Sequence, residues 1–191
     1  MTRGGRAVTI RTAVLADTPA LESLIDASIR VLGARHYSNA EIASSMTYVF
    51  GVDSTMIEDG RYVVVEHEGQ VIGAGGWSFR RTPFGGDQAI PVRDAHHRQP
   101  GRDPAVIRAM FVHPDWARQG VGGFIMRACE ERALAAGFED LELVATLSGV
   151  AFYERMGYHR MREIIHGMAD GSTVAFLEMA KPGKDHQDLI N

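Results

Sequence analysis

The sequence is poor in cysteine, in long apolar runs and in net positive charge. Its single cysteine, Cys129, cannot form a disulfide within the chain, so a disulfide-stapled fold is excluded and a reducing compartment fits. No apolar run reaches the roughly 18 residues of a membrane span, so no membrane partner is expected. Residues 1–10 contain no apolar core of signal-peptide length. We therefore expect a protein of the cytoplasm.

The charged residues are nearly balanced, 20 Lys and Arg against 24 Asp and Glu, which gives a formal net charge of −4. Proteins that bind nucleic acid neutralise its phosphates with a basic face, so nucleic acid is not expected as a partner. The length of 191 residues suits one domain rather than two. We predict a single domain over residues 1–181 and a polar tail over residues 182–191. A homodimer stays open at this point.

Periodic apolar residues and turn signals divide the chain into strands and helices. Ser38 followed by Glu41 has the pattern of a capping box that opens a helix, and Glu68-Gly69 separates two β-rich runs as the turn of a hairpin. The predicted strands cover residues 8–12, 61–67, 70–79, 106–112, 141–145, 158–166 and 173–179, and the predicted helices cover residues 17–32, 38–48, 120–136 and 150–156. This order predicts a mixed α/β domain built on one sheet.

The most informative segment joins the fourth predicted strand to the start of a helix. The strand ends at His113-Pro114, and Arg118-Gln119-Gly120-Val121-Gly122-Gly123 then leads into a helix with one apolar face. The first N–H groups of a helix have no intrahelical partner, and glycines let the backbone approach a pyrophosphate closely. The segment is either a phosphate-binding turn or a packing turn. It lacks the third glycine of a dinucleotide fingerprint and the Gly-Lys-Ser/Thr of a Walker A loop.

A second segment, residues 152–158, reads Phe-Tyr-Glu-Arg-Met-Gly-Tyr and follows the fifth predicted strand. Together with the strand exit at residues 110–114 and the glycine turn at residues 118–122, it resembles the GNAT superfamily of acyl-CoA N-acyltransferases. The order of elements over residues 8–180 is similar too. The resemblance implies a central, mostly antiparallel sheet that is splayed between its fourth and fifth strands, with helices on both faces.

The resemblance also implies acetyl-CoA as co-substrate and a place for each part of it. The backbone of Phe111 and Val112 would pair with the pantetheine arm, and the N–H groups of residues 118–123 would hold the pyrophosphate, with Arg118 able to add a charged contact. Tyr153 would lie near the thioester sulfur.

Two positions depart from the family pattern. Ala117 stands where many members carry Arg or Gln, and Thr146 or Ser148 stands where many carry Asn. Both departures leave the backbone contacts to phosphate in place. We take Thr146 and Ser148 as candidate cofactor contacts.

Acyl transfer to an amine needs a donor for the developing oxyanion and a proton for the leaving thiolate. The backbone N–H of Val112 is the candidate oxyanion donor. Tyr153 is the candidate general acid, and the alternative is that its ring only packs in the core. No base is visible, because the strand over residues 106–112 carries no Asp or Glu.

Three aromatic residues, Tyr37, Trp77 and Phe79, are candidates for lining an acceptor pocket, although such rings can equally pack in the core. His96-His97 are adjacent rather than at ligand spacing, so no metal site is expected. Cys129 fits a small core residue. The sequence therefore predicts an N-acetyltransferase that moves an acetyl group from acetyl-CoA to a primary amine of a small molecule or peptide. The alternative is a domain that binds acyl-CoA without turnover.

Overall fold

Seven strands form one sheet in the computed structural model, which describes residues 2–3, 6–82, 84–89 and 96–183. Two strands of two residues each, Thr2–Arg3 and Arg6–Ala7, pair with each other ahead of this sheet. The seven strands are β1 Thr9–Thr12, β2 Tyr62–His67, β3 Gln70–Ser78, β4 Ala105–Val112, β5 Leu141–Thr146, β6 His159–Gly167 and β7 Thr173–Lys181. In space they follow the order β1-β2-β3-β4-β5-β7-β6.

Five α-helices flank the sheet, together with three short 3₁₀ turns at Leu15–Asp17, Asp87–Ala89 and Pro114–Trp116. The helices are α1 Thr18–Leu32, α2 Asn39–Tyr48, α3 Ser54–Glu58, α4 Val121–Ala135 and α5 Val150–Arg155. The predicted capping box is confirmed at α2, where the Glu41 N–H donates to Ser38 Oγ and the Ser38 N–H donates to the Glu41 carboxylate. Within the described ranges, no helix is both long and apolar enough to cross a membrane.

The sheet is antiparallel except at its centre. β4 and β5 run parallel, and they pair at only two positions, Ala105 with Leu141 and Val106 with Glu142. Beyond Val106 the two strands part, while β3 stays paired with β4 as far as Val112. This confirms the prediction of a mostly antiparallel sheet that is splayed between its fourth and fifth strands.

The sheet separates two apolar layers, as the alternation along β2 demonstrates. Val63 and Val65 face the layer of α4 and α5, whereas Tyr62 and Val64 face the layer of α1, α2 and α3. Helix α4 lies very close to the sheet, since a Cβ at Gly73 would come within 2.8 Å of its side chains. The prediction of helices on both faces is confirmed.

Most predicted elements end within two residues of the observed ones. β3 stops at Ser78 rather than Phe79, whose carbonyl accepts from the Arg98 N–H at 2.6 Å. In the polar stretch over residues 80–104, Arg80 and His97 form an isolated bridge. Residues 83 and 90–95 of that stretch and residues 184–191 of the predicted tail lie outside the described residues. The division of the chain at residue 181 stays a prediction.

Candidate functional site

The β4 strand carries a bulge where it leaves β5. The register with β3 shifts between Ala74 and Gly76, and Ala109 has φ of 54°, in the left-handed region that favours glycine. The hydroxyl of Tyr62 donates to the Ala109 carbonyl at 3.3 Å and so supports the bulge. A bulge turns neighbouring backbone groups in new directions, and this one does so at the edge of the gap between the two strands.

The backbone of Val112 faces that gap. The His113 N–H donates to the Ile72 carbonyl at 2.9 Å, so Val112 and Gly73 face each other as a pair without mutual hydrogen bonds. The N–H and C=O of Val112 therefore point away from β3. Phe111 is one residue earlier and pairs with Ala74, so its backbone groups turn toward β3 and its ring lines the gap. Of the two residues predicted to pair with a cofactor arm, Val112 has the backbone direction that this needs.

The glycine turn follows β4 after the 3₁₀ turn at Pro114–Trp116. Gly120 precedes α4 with φ of 89°, and the Phe124 N–H donates to its carbonyl at 3.0 Å. The N–H groups of Val121, Gly122 and Gly123 occupy the first turn of α4, where a helix offers them no acceptor. Three donors at the positive end of a 15-residue helix form a potential anion site.

Two polar side chains of the turn have different surroundings. Arg118 is exposed and has φ of 59°, a conformation that costs a non-glycine residue energy. The Gln119 side-chain amide donates to the Asp115 carbonyl at 2.5 Å, which closes the turn from within. Arg118 is thus the side chain that can reach an anion beside the turn, whereas Gln119 shapes the turn itself.

The turn adjoins the end of β4 and the start of α5. A Cβ at Gly122 would lie 3.4 Å from the Phe152 ring and 3.7 Å from Val112 Cγ2. The two segments that sequence reasoning singled out, although about 30 residues apart in the chain, therefore meet at the open side of β4.

Tyr153 lies on α5 and borders the gap together with Thr146 and Met110. The residue is 9% exposed, and burial raises the pKa of its hydroxyl above the ordinary value of 10.0. Among the described residues this hydroxyl has no hydrogen-bond partner. Gly149 gives the ring its space, because a Cβ there would lie 2.8 Å from Tyr153 Cε2. Tyr153 thus holds a protonated phenol at the gap.

The segment after β5 is fixed by a tyrosine from another element. The Leu147 N–H donates to the Tyr37 hydroxyl, which itself donates to the Ala175 carbonyl, both at 2.8 Å. The hydroxyls of Thr146 and Ser148 lie 3.1 Å apart and bond to each other. Tyr37 was predicted to line an acceptor pocket, but the structure places it as a brace between this segment and β7.

A cavity of about 70 Å³ extends from the gap toward the loop before β4. Four phenylalanine rings dominate its walls: Phe50, Phe84, Phe111 and Phe176. They come from the chain after α2, the loop over residues 84–86, β4 and β7, so no local sequence pattern indicates that they meet.

The Arg108 guanidinium also borders this cavity, and sequence reasoning missed it. It lies 3.0 Å from Asp53, both side chains are 3% exposed, and it donates to the carbonyls of Thr82 and Gly85. The pair therefore joins β4 to the loop that forms one cavity wall. An arginine in the middle of an otherwise apolar strand is the signal that could have indicated a buried partner.

The other two predicted acceptor residues lie outside the cavity lining. Trp77 is 3% exposed in the layer of α4, edge-on to Phe138 at 5.8 Å and beneath the Arg61 guanidinium. Phe79 packs against His97 at 4.5 Å. Both rings take the packing alternative that the sequence left open.

The buried Cys129 belongs to the core under α4, where burial raises the pKa of its thiol to about 12. A thiol with this pKa is protonated at neutral pH and is a poor nucleophile. Within the part of the chain that the structure describes, no three His, Cys, Asp or Glu side chains are placed to hold a metal ion.

The family model for the acetyltransferase (GNAT) domain matches residues 58–160, more than half of the chain. The chain belongs to the GNAT acetyltransferase family. The matched range contains β4, the glycine turn and α5, the elements that build the gap. Membership of the GNAT family supports acyl transfer as the general activity. A comparison with curated protein sequences gave no match.

Solved structures of other GNAT proteins share the fold. A GCN5-related N-acetyltransferase from Rhodopseudomonas palustris is 19% identical, with a TM-score of 0.67 over 95% of this chain and 98% of that one. The PaiA N-acetyltransferase from Thermoplasma acidophilum, solved with coenzyme A, is 12% identical, with a TM-score of 0.61 over 92% and 99%. The ribosomal-protein-S18-alanine N-acetyltransferase from Escherichia coli is 16% identical, with a TM-score of 0.57 over 92% and 94%. At these identities the likeness shows the fold alone.

Proposed function

We propose that this GNAT protein transfers an acetyl group from acetyl-CoA to a primary amine of a small molecule or peptide, by direct attack in a ternary complex. The observation that carries the proposal is the convergence of three features at the open side of β4. Gly122 in the α4 first turn, with its free N–H, adjoins Val112 and Phe152, the Val112 backbone points away from β3, and Tyr153, next to Phe152, lines the gap. Each feature matches one part of a CoA thioester.

The α4 turn suits the pyrophosphate. Its N–H groups point along the helix axis toward one site, and the helix dipole favours negative charge there. Arg118 supplies a positive charge beside the same site. The pantetheine arm carries amides, so the N–H and C=O of Val112 can pair with it as a neighbouring strand would. The gap left by β5 gives the arm its space.

The reaction forms a C–N bond and breaks the C–S bond of the thioester. The neutral amine attacks the carbonyl carbon, and a backbone N–H at the edge of the gap stabilises the oxyanion, for which Val112 is our candidate. The CoA sulfur leaves as a thiolate and accepts a hydrogen bond and then a proton from Tyr153, whose oxygen regains a proton from the water that receives the proton of the amine. The attacking amine loses one proton, and water receives it, since the cavity lining contributes no carboxylate from the described residues.

The raised pKa of Tyr153 has two effects on this role. It keeps the phenol protonated throughout the neutral range, so the donor is always present. It also makes the phenol a weak acid, so its main contribution is a hydrogen bond to the developing thiolate rather than early proton transfer.

The experiment follows release of the CoA thiol from acetyl-CoA while amines of different size and charge are added. We expect release that depends on both the amine and the enzyme, with an acetylated amine as product. Binding of CoA without amine-dependent release from any amine would favour the alternative, an acyl-CoA sensor. The cytoplasmic location and the absence of nucleic acid partners stay predictions, and a homodimer stays open.

A further inference from the structure

We propose that the amine acceptor carries a compact, uncharged apolar group, such as a branched alkyl group, next to its reactive amine. The phenylalanine-walled cavity beside the gap would take this group. The inference rests on the proposed function, because it assigns the acceptor of the same site.

Among the described residues, the cavity walls present ring surfaces and no negatively charged side chain. Phe50 lies edge-on to Phe111 and to Phe176, with ring centroids 6.4 and 6.1 Å apart, and Phe84 lies 5.1 Å from Phe176. Val144 adds a branched aliphatic wall from β5. Burying a second ammonium group against these rings would cost far more than burying an alkyl group, since the described lining holds no carboxylate to pair with it.

The charge of the described lining residues also favours an uncharged acceptor group. Arg108 is the one side chain among them that is charged at neutral pH, and it is positive. Its guanidinium is already held by Asp53 and by the carbonyls of Thr82 and Gly85. The Arg108–Asp53 pair has no net charge to attract a cationic acceptor, and the existing partners of Arg108 compete with an acceptor carboxylate.

The position of the cavity along β4 assigns it to the acceptor rather than to CoA. The glycine turn follows Val112, at the carboxyl end of the strand, so CoA enters from that end. The cavity borders β4 from Ile107 to Phe111 but not Val112, and none of the turn residues 118–123 is among its described lining residues. A group in the cavity therefore lies past the thioester, where the acceptor approaches.

The volume limits the size of the group. A cavity of about 150 Å³ holds benzene, and this one measures about 70 Å³. An isopropyl group fits such a space better than a fused aromatic ring does.

The test compares 3-methylbutylamine with 1,4-diaminobutane, which have the same number of non-hydrogen atoms. One ends in an isopropyl group and the other in a second ammonium group. We expect kcat/KM for 3-methylbutylamine to exceed that for the diamine by on the order of 100-fold. Equal values, or a preference for the diamine, would overturn the inference. Replacing acetyl-CoA by butyryl-CoA is the second arm: a faster reaction with the longer acyl chain would assign the cavity to the acyl group instead.

A pair of variants connects the preference to the cavity. Phe84→Ala enlarges the cavity, so it should lower the ratio of 3-methylbutylamine to benzylamine activity at least severalfold. Phe79→Ala makes the same change at a half-buried ring outside the cavity and should leave that ratio unaltered. The same ratio in both variants would contradict the assignment.

A binding measurement distinguishes failure of this inference from failure of the proposed function. If CoA binds but no amine is acetylated, calorimetric titration of the CoA complex with the two matched amines still compares their fit. Tighter binding of 3-methylbutylamine would then support the cavity assignment without catalysis, and equal or weaker binding would overturn it.

Discussion

At the scale of single residues, four buried tyrosines differ in what their hydroxyls contact. Tyr37 donates to the Ala175 carbonyl and Tyr62 donates to the Ala109 carbonyl. Burial raises the pKa of both hydroxyls, as it does for Tyr153. The hydroxyls of Tyr153 and Tyr158 lack such an acceptor among the described residues, and of these two only Tyr153 lines the cavity at the gap. Buried hydroxyls usually have a partner, so a phenol without one here fits a donor kept for the reacting sulfur.

Replacing Tyr153 by Phe removes that donor and little volume. We expect kcat to fall by about 10²- to 10⁴-fold, with CoA affinity nearly unchanged, because the hydrogen bond strengthens in the transition state. Steady-state kinetics with a saturating amine and CoA calorimetry measure the two effects. Tyr158→Phe is the control, since Tyr158 is buried in the same layer, 6.2 Å away, and does not border the cavity. Wild-type kcat in Tyr153→Phe, with chemistry limiting the rate, would return Tyr153 to a packing role.

Arg118 combines a strained backbone with a charge beside the phosphate turn. Its φ of 59° suits glycine, so Arg118→Gly should be more stable than Arg118→Ala by about 1 kcal/mol, the reverse of the usual order. Chemical denaturation of the two variants measures this difference. Both variants lose the charge, so both should bind CoA more weakly and with less dependence on salt. Unequal loss of CoA affinity would show that backbone shape, rather than charge, is what Arg118 provides.

At the scale of elements, β4 links the two halves of the site. Its carboxyl end leads into the glycine turn, its bulge at Ala109 adjoins the gap, and its Arg108 holds the loop over residues 82–85 against Asp53. Asp53 also caps α3 by accepting from the Met56 N–H. One buried ion pair therefore joins β4, α3 and the cavity wall.

Breaking that ion pair should strongly destabilise the fold. Asp53→Asn removes the carboxylate that lies 3.0 Å from the buried Arg108 guanidinium, so we expect a loss of about 3–5 kcal/mol in the free energy of unfolding. Asp26→Asn is the control, because Asp26 pairs with Arg30 on the exposed face of α1 and should cost below about 0.5 kcal/mol. Urea denaturation measures both. A cost for Asp53→Asn no larger than for the control would mean that the pair does not fix the cavity wall.

At the scale of the whole molecule, the buried acidic hydroxyls and the thiol set the alkaline limit of stability. Burial raises the pKa of Cys129 from 9.0 to about 12. Between these values the unfolded chain has released a proton that the native chain keeps, so stability falls as pH rises, by up to about 1.4 kcal/mol per pH unit. Cys129→Ala should therefore show a flatter decline of the unfolding free energy between pH 9 and 10. Parallel declines in the two proteins would contradict the raised pKa.

The parts of this site that are local in sequence could be predicted, and the rest could not. The turn over residues 118–123 and the helix that carries Tyr153 are each specified by neighbouring residues, and their positions in the structure agree with the family resemblance. Phe50 and Phe176 are in contact at the cavity although 126 residues separate them in the chain. Regular alternation along β4 would place Ile107 and Phe111 on one face, but the bulge at Ala109 shifts the register and they face opposite layers.

The central claim is that the turn before α4 and the gap beside Val112 hold CoA, and calorimetry of CoA binding tests it most directly. Gly122→Val places bulk toward Phe152 and Val112, whereas Gly123→Ala adds a methyl group toward Arg127 and keeps its N–H. We predict at least about tenfold weaker binding for Gly122→Val, with its fold intact by circular dichroism, and near wild-type binding for Gly123→Ala. Equal affinity for CoA in the wild type and in folded Gly122→Val would contradict the account.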